Sequence, residues 1–441
     1  MAARATATET EPRTLMAMSG SQQRGGVKLA HFSDTHLGYE AYRALTPRGD
    51  NQRGFDIVDA FRQTVDGILE WDPDIIIHAG DVTDRPKVDF RYLLFIQQQL
   101  ERLTVRKDGS RRPVVVIAGN HDAPRSRKEV CSLELFRNIP GVYIVTQGYA
   151  AIDLGEVMVH AVPHDSLKGV DFSEVRPVAG KINVFTSHGV AEDSELFLRA
   201  IGREFPIPGE VLRRDWEYGA LGHWHKRGPV SVGGITMSRI WYAGSTENIS
   251  FRDLRDDRGM RRGWLAVTLR QGEDPVVEER DVKIRRMFRL PGIDGTGMGP
   301  DEITARLIEA IRKADIAGAV VSQDVTGVSR DIWSLCDITE VRRWAKDALH
   351  YQINYRPLRR SQETKSDIPE GASGLGQIDD WLKGIVADLV PEEQRAVVME
   401  RSLKFLAEAR GEVAGVVAGD GGETADTAPA ASDLDAQEDA A

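Results

Sequence analysis

The sequence predicts a layered α/β fold, followed by a smaller α+β module and a C-terminal pair of helices. Short β-branched runs alternate with helical patterns from Val27 to about Asp281, the alternation then restarts in a shorter form, and two amphipathic stretches meet at Pro391. At 441 residues the chain exceeds a typical domain length, so more than one folded unit is expected.

Residues 1–26 are rich in Ala, Thr, Ser and Gly, hold no apolar block long enough for a signal peptide or membrane span, and read as a disordered leader. The runs that follow are KLAHFS (Lys28–Ser33), DIIIHAG (Asp74–Gly80), PVVVIAG (Pro113–Gly119), VMVHAVP (Val157–Pro163), INVFTS (Ile182–Ser187) and YGALG (Tyr218–Gly222). Most are continuous apolar stretches of the kind that form buried strands. Between the first two, Phe55, Val58, Phe61, Val65, Ile68 and Leu69 recur at helical spacing, and Tyr92 to Leu103 does the same before the third. After Gly263, WLAVTLR and VVEERDVKIRRMFRL read as antiparallel strands that close a first domain over 27–282.

A second unit, 283–358, carries a strand (Arg285–Leu290), a helix (Asp301–Ala314), a strand (Ala319–Val325), a helix (Ile338–Leu349) and a strand (His350–Tyr355). A polar, turn-rich linker over 359–376 leads to helices Ile378–Val390 and Glu392–Ala407, a hairpin within 377–410. From 411 to 441 there are eight acidic residues and no basic one, a solvated tail. Without those eight charges the formal net charge of −11 becomes −3, so the acidic balance says nothing against a polyanionic partner. Cys131 and Cys336 belong to no C-x-x-C pair, which argues against a disulfide framework or zinc knuckle and fits a reducing cytoplasm.

Ligands gather where the carboxyl ends of strands converge. Five of the six runs end in metal-ligand residues: Asp34 and His36, Asp81, Asn120, His188, and His223 with His225. Two-residue spacing in extended chain puts Asp34 with His36, and His223 with His225, on one side. Glycines before Asp81, Asn120 and His223 allow sharp turns. Taken singly, D-x-H and H-x-H recur by chance, and a lone strand histidine is usually a satisfied core residue, which is the reading given to His31, His78 and His160. Five such endings in order are not explained that way. Carboxylate, amide and imidazole ligands without thiolate suit borderline divalent metals such as manganese, iron or zinc. Seven ligands exceed the needs of one ion, and metals about 3.5–4 Å apart suit phosphoester hydrolysis, with Asp81 the natural bridge.

The ordered blocks D-x-H, GD-x-x-D, GNHD, a lone His and GH-x-H resemble the calcineurin-like metallophosphoesterase superfamily. That resemblance implies a four-layer α/β/β/α sandwich with one metal on Asp34, His36, Asp81 and His225 and the other on Asp81, Asn120, His188 and His223, both divalent, with manganese foremost. It implies His121 as the acid that protonates the leaving oxygen, with Asp122 holding its imidazole. FSDTHLG, AGDVTDRP, AGNHD and GALGHWH are similar to SbcD/Mre-type DNA repair nucleases, and Arg285–Val328 to their capping domain. The resemblance implies DNA as substrate, exonuclease and endonuclease activity, and an SMC-like coiled-coil ATPase of the SbcC type as partner, docked on the 377–410 hairpin; it also admits a homodimer. Asp84 stands where archaeal and eukaryotic relatives often carry a substrate-touching His, so it joins Arg125 and Arg127 as a candidate substrate contact. Basic residues near the motif loops, including Arg85, Lys87, Arg261 and Arg262, suit phosphate tracking. The competing expectations are a phosphatase or phosphodiesterase of a small nucleotide or cofactor, and a catalytically dead DNA- or ATPase-binding scaffold.

Overall fold

The computed structural model describes residues 25–358 except 125, 127, 128, 193, 195–204, 252 and 255–260, and beyond these only Arg395, Ala396 and Met399. The leader, the acidic tail, Arg125, Arg127 and all but three residues of the expected hairpin lie outside the described residues. The chain divides into two compact units, Met1–Gln362 and Glu363–Ala441.

The first unit begins with β1 (Val27–Phe32), α1 (Gln52–Trp71), β2 (Ile75–His78), α2 (Phe90–Thr104), β3 (Val114–Ile117), β4 (Val142–Val145), β5 (Ala150–Asp153) and β6 (Val157–Val162). It continues through β7 (Ile182–His188), α3 (Gly209–Leu212), β8 (Tyr218–Gly222), β9 (Gly228–Val232), β10 (Ile235–Tyr242), β11 (Gly263–Leu269) and β12 (Val276–Asp281). A smaller group follows: β13 (Met287–Arg289), β14 (Ile293–Asp294), α4 (Pro300–Lys313), β15 (Val320–Val328), α5 (Arg330–Ser334), α6 (Ile338–Trp344) and β16 (His350–Pro357).

Two six-stranded sheets run β12-β11-β1-β2-β3-β4 and β5-β6-β7-β8-β10-β9. Strands β1 to β4 are parallel, as are β6, β7 and β8, so each set delivers its carboxyl ends to one edge. Strand β11 lies antiparallel to both β1 and β12, as the closing strands were expected to.

Side-chain alternation sorts the layers. From β1 to β3, Ala30, Phe32, Ile76, Val114 and Val116 pack with the α1 stripe Ile57, Phe61, Val65 and Ile68. Leu29, Ile75, Ile77 and Val115 instead meet Val159, Val184 and Ala220 of the second sheet. On that sheet's far face Val162, Phe185 and Leu221 lie under Val211, Leu212 and Trp216. The result is the four-layer α/β/β/α sandwich, and each such buried Val, Leu, Ile or Phe side chain contributes about 1.5–3 kcal/mol.

Helix α1 starts at Asn51, whose side chain accepts from the Gly54 N–H, and stops at Asp72 in the left-handed conformation. In the small module, β13, β14 and β16 all pair in parallel with β15, and Ile303, Leu307 and Ile311 of α4 pack on Val321 and Val325. The helix expected to reach Leu349 ends at Trp344. There Gly318 N–H bonds to Asp347 O at 2.8 Å and Leu349 N–H to Ala319 O at 2.8 Å, so pairing with the β15 end outcompetes continuation of the helix.

Candidate metal centre

All seven expected ligands converge at the edge where the two sheets present their carboxyl ends. Asp34 and His36 follow β1, Asp81 follows β2, Asn120 follows β3, His188 ends β7, and His223 and His225 follow β8. The first two loops are zipped together by Asp34 N–H to Gly80 O, Thr35 N–H to Asp81 O and Leu37 N–H to Val82 O, each 2.9 Å.

The backbone reason for convergence differs from the extended-chain expectation. Asp34, His36, Asp81 and His223 have φ of 52°, 45°, 55° and 97°, the left-handed region that ordinary residues avoid at about 1–3 kcal/mol each. Sharp local turns, held by the loop hydrogen bonds, aim these side chains. Of the three preceding glycines only Gly80, at φ 95°, needs its conformational freedom. Gly119 and Gly222 are needed for space: a Cβ at Gly119 would sit 2.1 Å from Asp81 Oδ1, and one at Gly222 2.1 Å from Ala79 O.

Two groups of ligand atoms result. His36 Nε2 lies 3.1 Å from His225 Nε2 and 3.7 Å from Asp81 Oδ2, and His225 Nε2 lies 3.9 Å from Asp34 Oδ1. In the second group His188 Nε2 lies 3.3 Å from Asp81 Oδ2 and 3.1 Å from Asn120 Oδ1, with His223 Nδ1 3.2 Å from the same Asn120 oxygen. Asp81 reaches both.

The donor chemistry fits divalent cations. His225 Nδ1–H donates to Asp253 Oδ1 at 3.0 Å, leaving its Nε2 lone pair aimed at His36. His188 Nδ1–H donates to Ala79 O at 2.8 Å, leaving Nε2 facing oxygens that offer only lone pairs. Such a gathering calls for a cation. Ligands about 2.0–2.2 Å from a shared ion lie about 3–3.5 Å from one another, close to the shorter separations here. The electrostatics agree. Burial opposes a proton on His188, yet the Asp81 and Asp34 carboxylates outweigh it and lift the pKa to about 9. Burial opposes charge on Asp81 too, but the charge and hydrogen bond of His188 hold it well below the usual carboxylate range. Burial dominates at His36, whose pKa falls well below that of a free imidazole and leaves a neutral ligand.

His121 stands at the rim, its ring 4.7 Å from that of His36. Its Nδ1–H donates to the Asp84 carbonyl at 2.6 Å. Asp122 does not hold this imidazole, as had been expected. Its carboxylate instead accepts from Val82 N–H (3.1 Å), Thr83 N–H (2.8 Å), Thr83 Oγ1–H (2.9 Å) and Gly119 N–H (2.9 Å), binding the GD and GNHD loops together. Burial and the Asp81 charge push Asp122 up to about 6 against those donors. The Asp84 side chain lies 3.7 Å from His36 Nδ1 and 3.9 Å from Arg85 Nε, beside the ligands, and burial raises its pKa.

Arg262 also departs from expectation. Rather than tracking phosphate, it is buried and donates to His225 O at 2.5 Å and Asn248 Oδ1 at 2.8 Å. His31, His78 and His160 sit inside the core on Tyr218 Oη, Thr35 Oγ1 and Tyr149 Oη. Two site residues escaped sequence reasoning: Asp253, the partner of His225, and His164. Immediately after β6, His164 Nδ1–H donates to His188 O at 3.2 Å, and its ring stacks 6.1 Å from that of His223. A histidine following an apolar run was the available signal for His164; nothing marked Asp253.

Residues 27–227 match the family model described as calcineurin-like phosphoesterase. The DNA double-strand break repair protein Mre11 of Sulfolobus acidocaldarius is 24% identical over 395 residues, covering 86% of this chain and 98% of that protein. Its namesake from Methanococcus maripaludis is 26% identical over 272 residues, 59% of this chain and 68% of that one. A solved purple acid phosphatase from yellow lupin seeds is 14% identical with a TM-score of 0.33, covering 59% of this chain and 55% of that one, too distant a likeness to inform the site. The matched segment contains all seven candidate ligands, and the chain is a metal-dependent hydrolase similar to the calcineurin-like phosphoesterases and to the Mre11 repair proteins.

Proposed function

We propose that the chain is a two-metal phosphodiesterase acting on DNA as a repair exonuclease and endonuclease, the nuclease subunit of an SbcCD-like complex. The observation that supports it best is Asp81, one carboxylate oxygen of which faces His36 at 3.7 Å and His188 at 3.3 Å, between two ligand groups. Asp34, His36, Asp81 and His225 would hold one ion and Asp81, Asn120, His188 and His223 the other, with manganese the proposed metal. Bound there, the ions supply activation of water and neutralise charge on the phosphate.

The chain's own groups do the rest. With Nδ1–H pinned to the Asp84 carbonyl, His121 turns Nε2 toward the phosphoester, and a proton carried on Nε2 passes to the leaving oxygen. Asp84, Arg125 and Arg127 are the proposed substrate contacts. The relatives are named for DNA double-strand break repair, which supports DNA over a small nucleotide. In this reading 27–282 is the nuclease domain, 283–358 the cap, and 377–410 the docking hairpin for an SMC-like ATPase, in a cytoplasmic enzyme. Among the described residues no helix is long and apolar enough to cross a membrane.

Incubation with manganese and either linear or hairpin DNA, beside a bis-phosphate ester, tests the proposal. Turnover of DNA is expected; hydrolysis of the ester alone would move the substrate to small molecules, and no turnover of either would leave only a scaffold.

A further inference from the structure

The segment from Glu247 to Asp253 touches the metal centre at one end and the small α+β module at the other. At the metal end, Asp253 Oδ1 accepts the Nδ1–H of His225 at 3.0 Å, while its Oδ2 accepts from Ile249 N–H at 2.8 Å and Ser250 N–H at 2.9 Å. The carboxylate is therefore fixed by its own loop, and it fixes the His225 ring. At the module end, Phe251 is buried with Met287 and Val320, the first of β13 and the first of β15. The Arg289 guanidinium lies 5.3 Å from the Phe251 ring centroid and donates to Phe251 O at 3.2 Å. A second tie runs from Arg285 N–H to Glu247 Oε2 at 3.1 Å.

A metal-bound imidazole is a good ligand when its other nitrogen is held by a carboxylate, because the hydrogen bond sets the tautomer, the ring plane and the basicity. Here that carboxylate has no rigid strand beneath it. Its loop is held from within the sandwich by Arg53, which donates to Asn248 O, and Arg262, which donates to Asn248 Oδ1, and from outside it by side chains of a different sheet. We infer that Asp253 is a positioning residue for the ligand His225, and that the small module fixes it through Phe251 and Arg289, so that the seating of the module sets the affinity of one metal site. The inference rests on the two-metal reading of the centre. It assigns the module a role that is felt before any substrate arrives: it tightens or loosens the ion on Asp34, His36 and His225, and leaves the ion on Asn120, His188 and His223 unaffected.

Manganese binding to the full-length protein, without substrate, reads this directly by titration calorimetry. The wild type is expected to bind two ions. Asp253→Ala should weaken one of them about ten- to a hundredfold and leave the other unchanged, with Asp253→Asn, which retains an acceptor, intermediate. Phe251→Ala and Arg289→Ala should weaken the same ion several-fold, whereas Arg286→Ala, which breaks only the exposed contacts with Asp315 and Ala317 O, away from the loop, should change neither. Arg289→Ala serves alone if Phe251→Ala fails to fold. Two ions bound by Asp253→Ala as tightly as by the wild type would overturn the inference while sparing the two-metal reading. So would weakening in Asp253→Ala with Phe251→Ala and Arg289→Ala both at wild-type affinity, since the module would then not govern the loop. A wild type that binds fewer than two ions removes both readings.

Discussion

His121 is the residue on which the proposed chemistry turns, and it is not among the seven ligands. Its Nδ1 is committed to a backbone carbonyl, so replacing the ring leaves the ligand cage intact. His121→Asn is expected to bind manganese as the wild type does yet lose most DNA turnover, with single-turnover rates and metal titration as the paired measurements; unaltered turnover takes His121 out of the mechanism. The convergence of the seven candidate ligands was legible because each stands where an apolar run closes. The role of Asp122 was not, because GNHD fixes that His121 and Asp122 are neighbours in sequence and says nothing of which carbonyl or amide each meets. Arg262 misled for a related reason: a guanidinium in a basic stretch looks the same in sequence whether it reaches for solvent or, as here, braces the backbone of His225.

At the scale of elements, the strands that carry ligands were readable because burial on both faces makes them continuously apolar. Strands β5, β9 and β10 were not, since the two edge strands and much of β10 are half exposed and mix polar with apolar residues. Helix α1 was visible from its stripe, but its start depends on Asn51. That residue caps the Gly54 N–H at 3.1 Å, and its side-chain amide also donates to Ala41 O and Tyr42 O at 3.1 Å. Asn51→Ala is expected to cost about 1–2 kcal/mol, from loss of the cap and the loop anchor together. Thermal unfolding of the metal-free protein checks this, and a melting point equal to that of the wild type contradicts it.

For the whole molecule, the sandwich and the small module were both foreseen in order, while the join between them was not. Arg285, which begins the module, makes a bidentate pair with Asp56 of α1 and donates to Gly318 O at 2.7 Å, and no pattern in the sequence announces such a link. The C-terminal hairpin rests on its sequence: Trp381, Leu382, Ile385 and Leu389 recur at helical spacing beyond a polar linker. Deleting residues 376–410 is expected to abolish capture of the SMC-like ATPase in a pull-down while nuclease activity on linear DNA persists; a retained complex sinks that assignment.

The division of ligands between the two sheets has a consequence for synthesis. Asp34, His36, Asp81 and Asn120 come from the first sheet, and His188, His223 and His225 from the second. A chain still on the ribosome therefore carries only four of the seven candidate ligands until β7 has emerged, and neither ligand group is complete until β8 delivers the last two. Fragments that stop before His223 are thus expected to lack one histidine of each ligand group, and with it both ion sites.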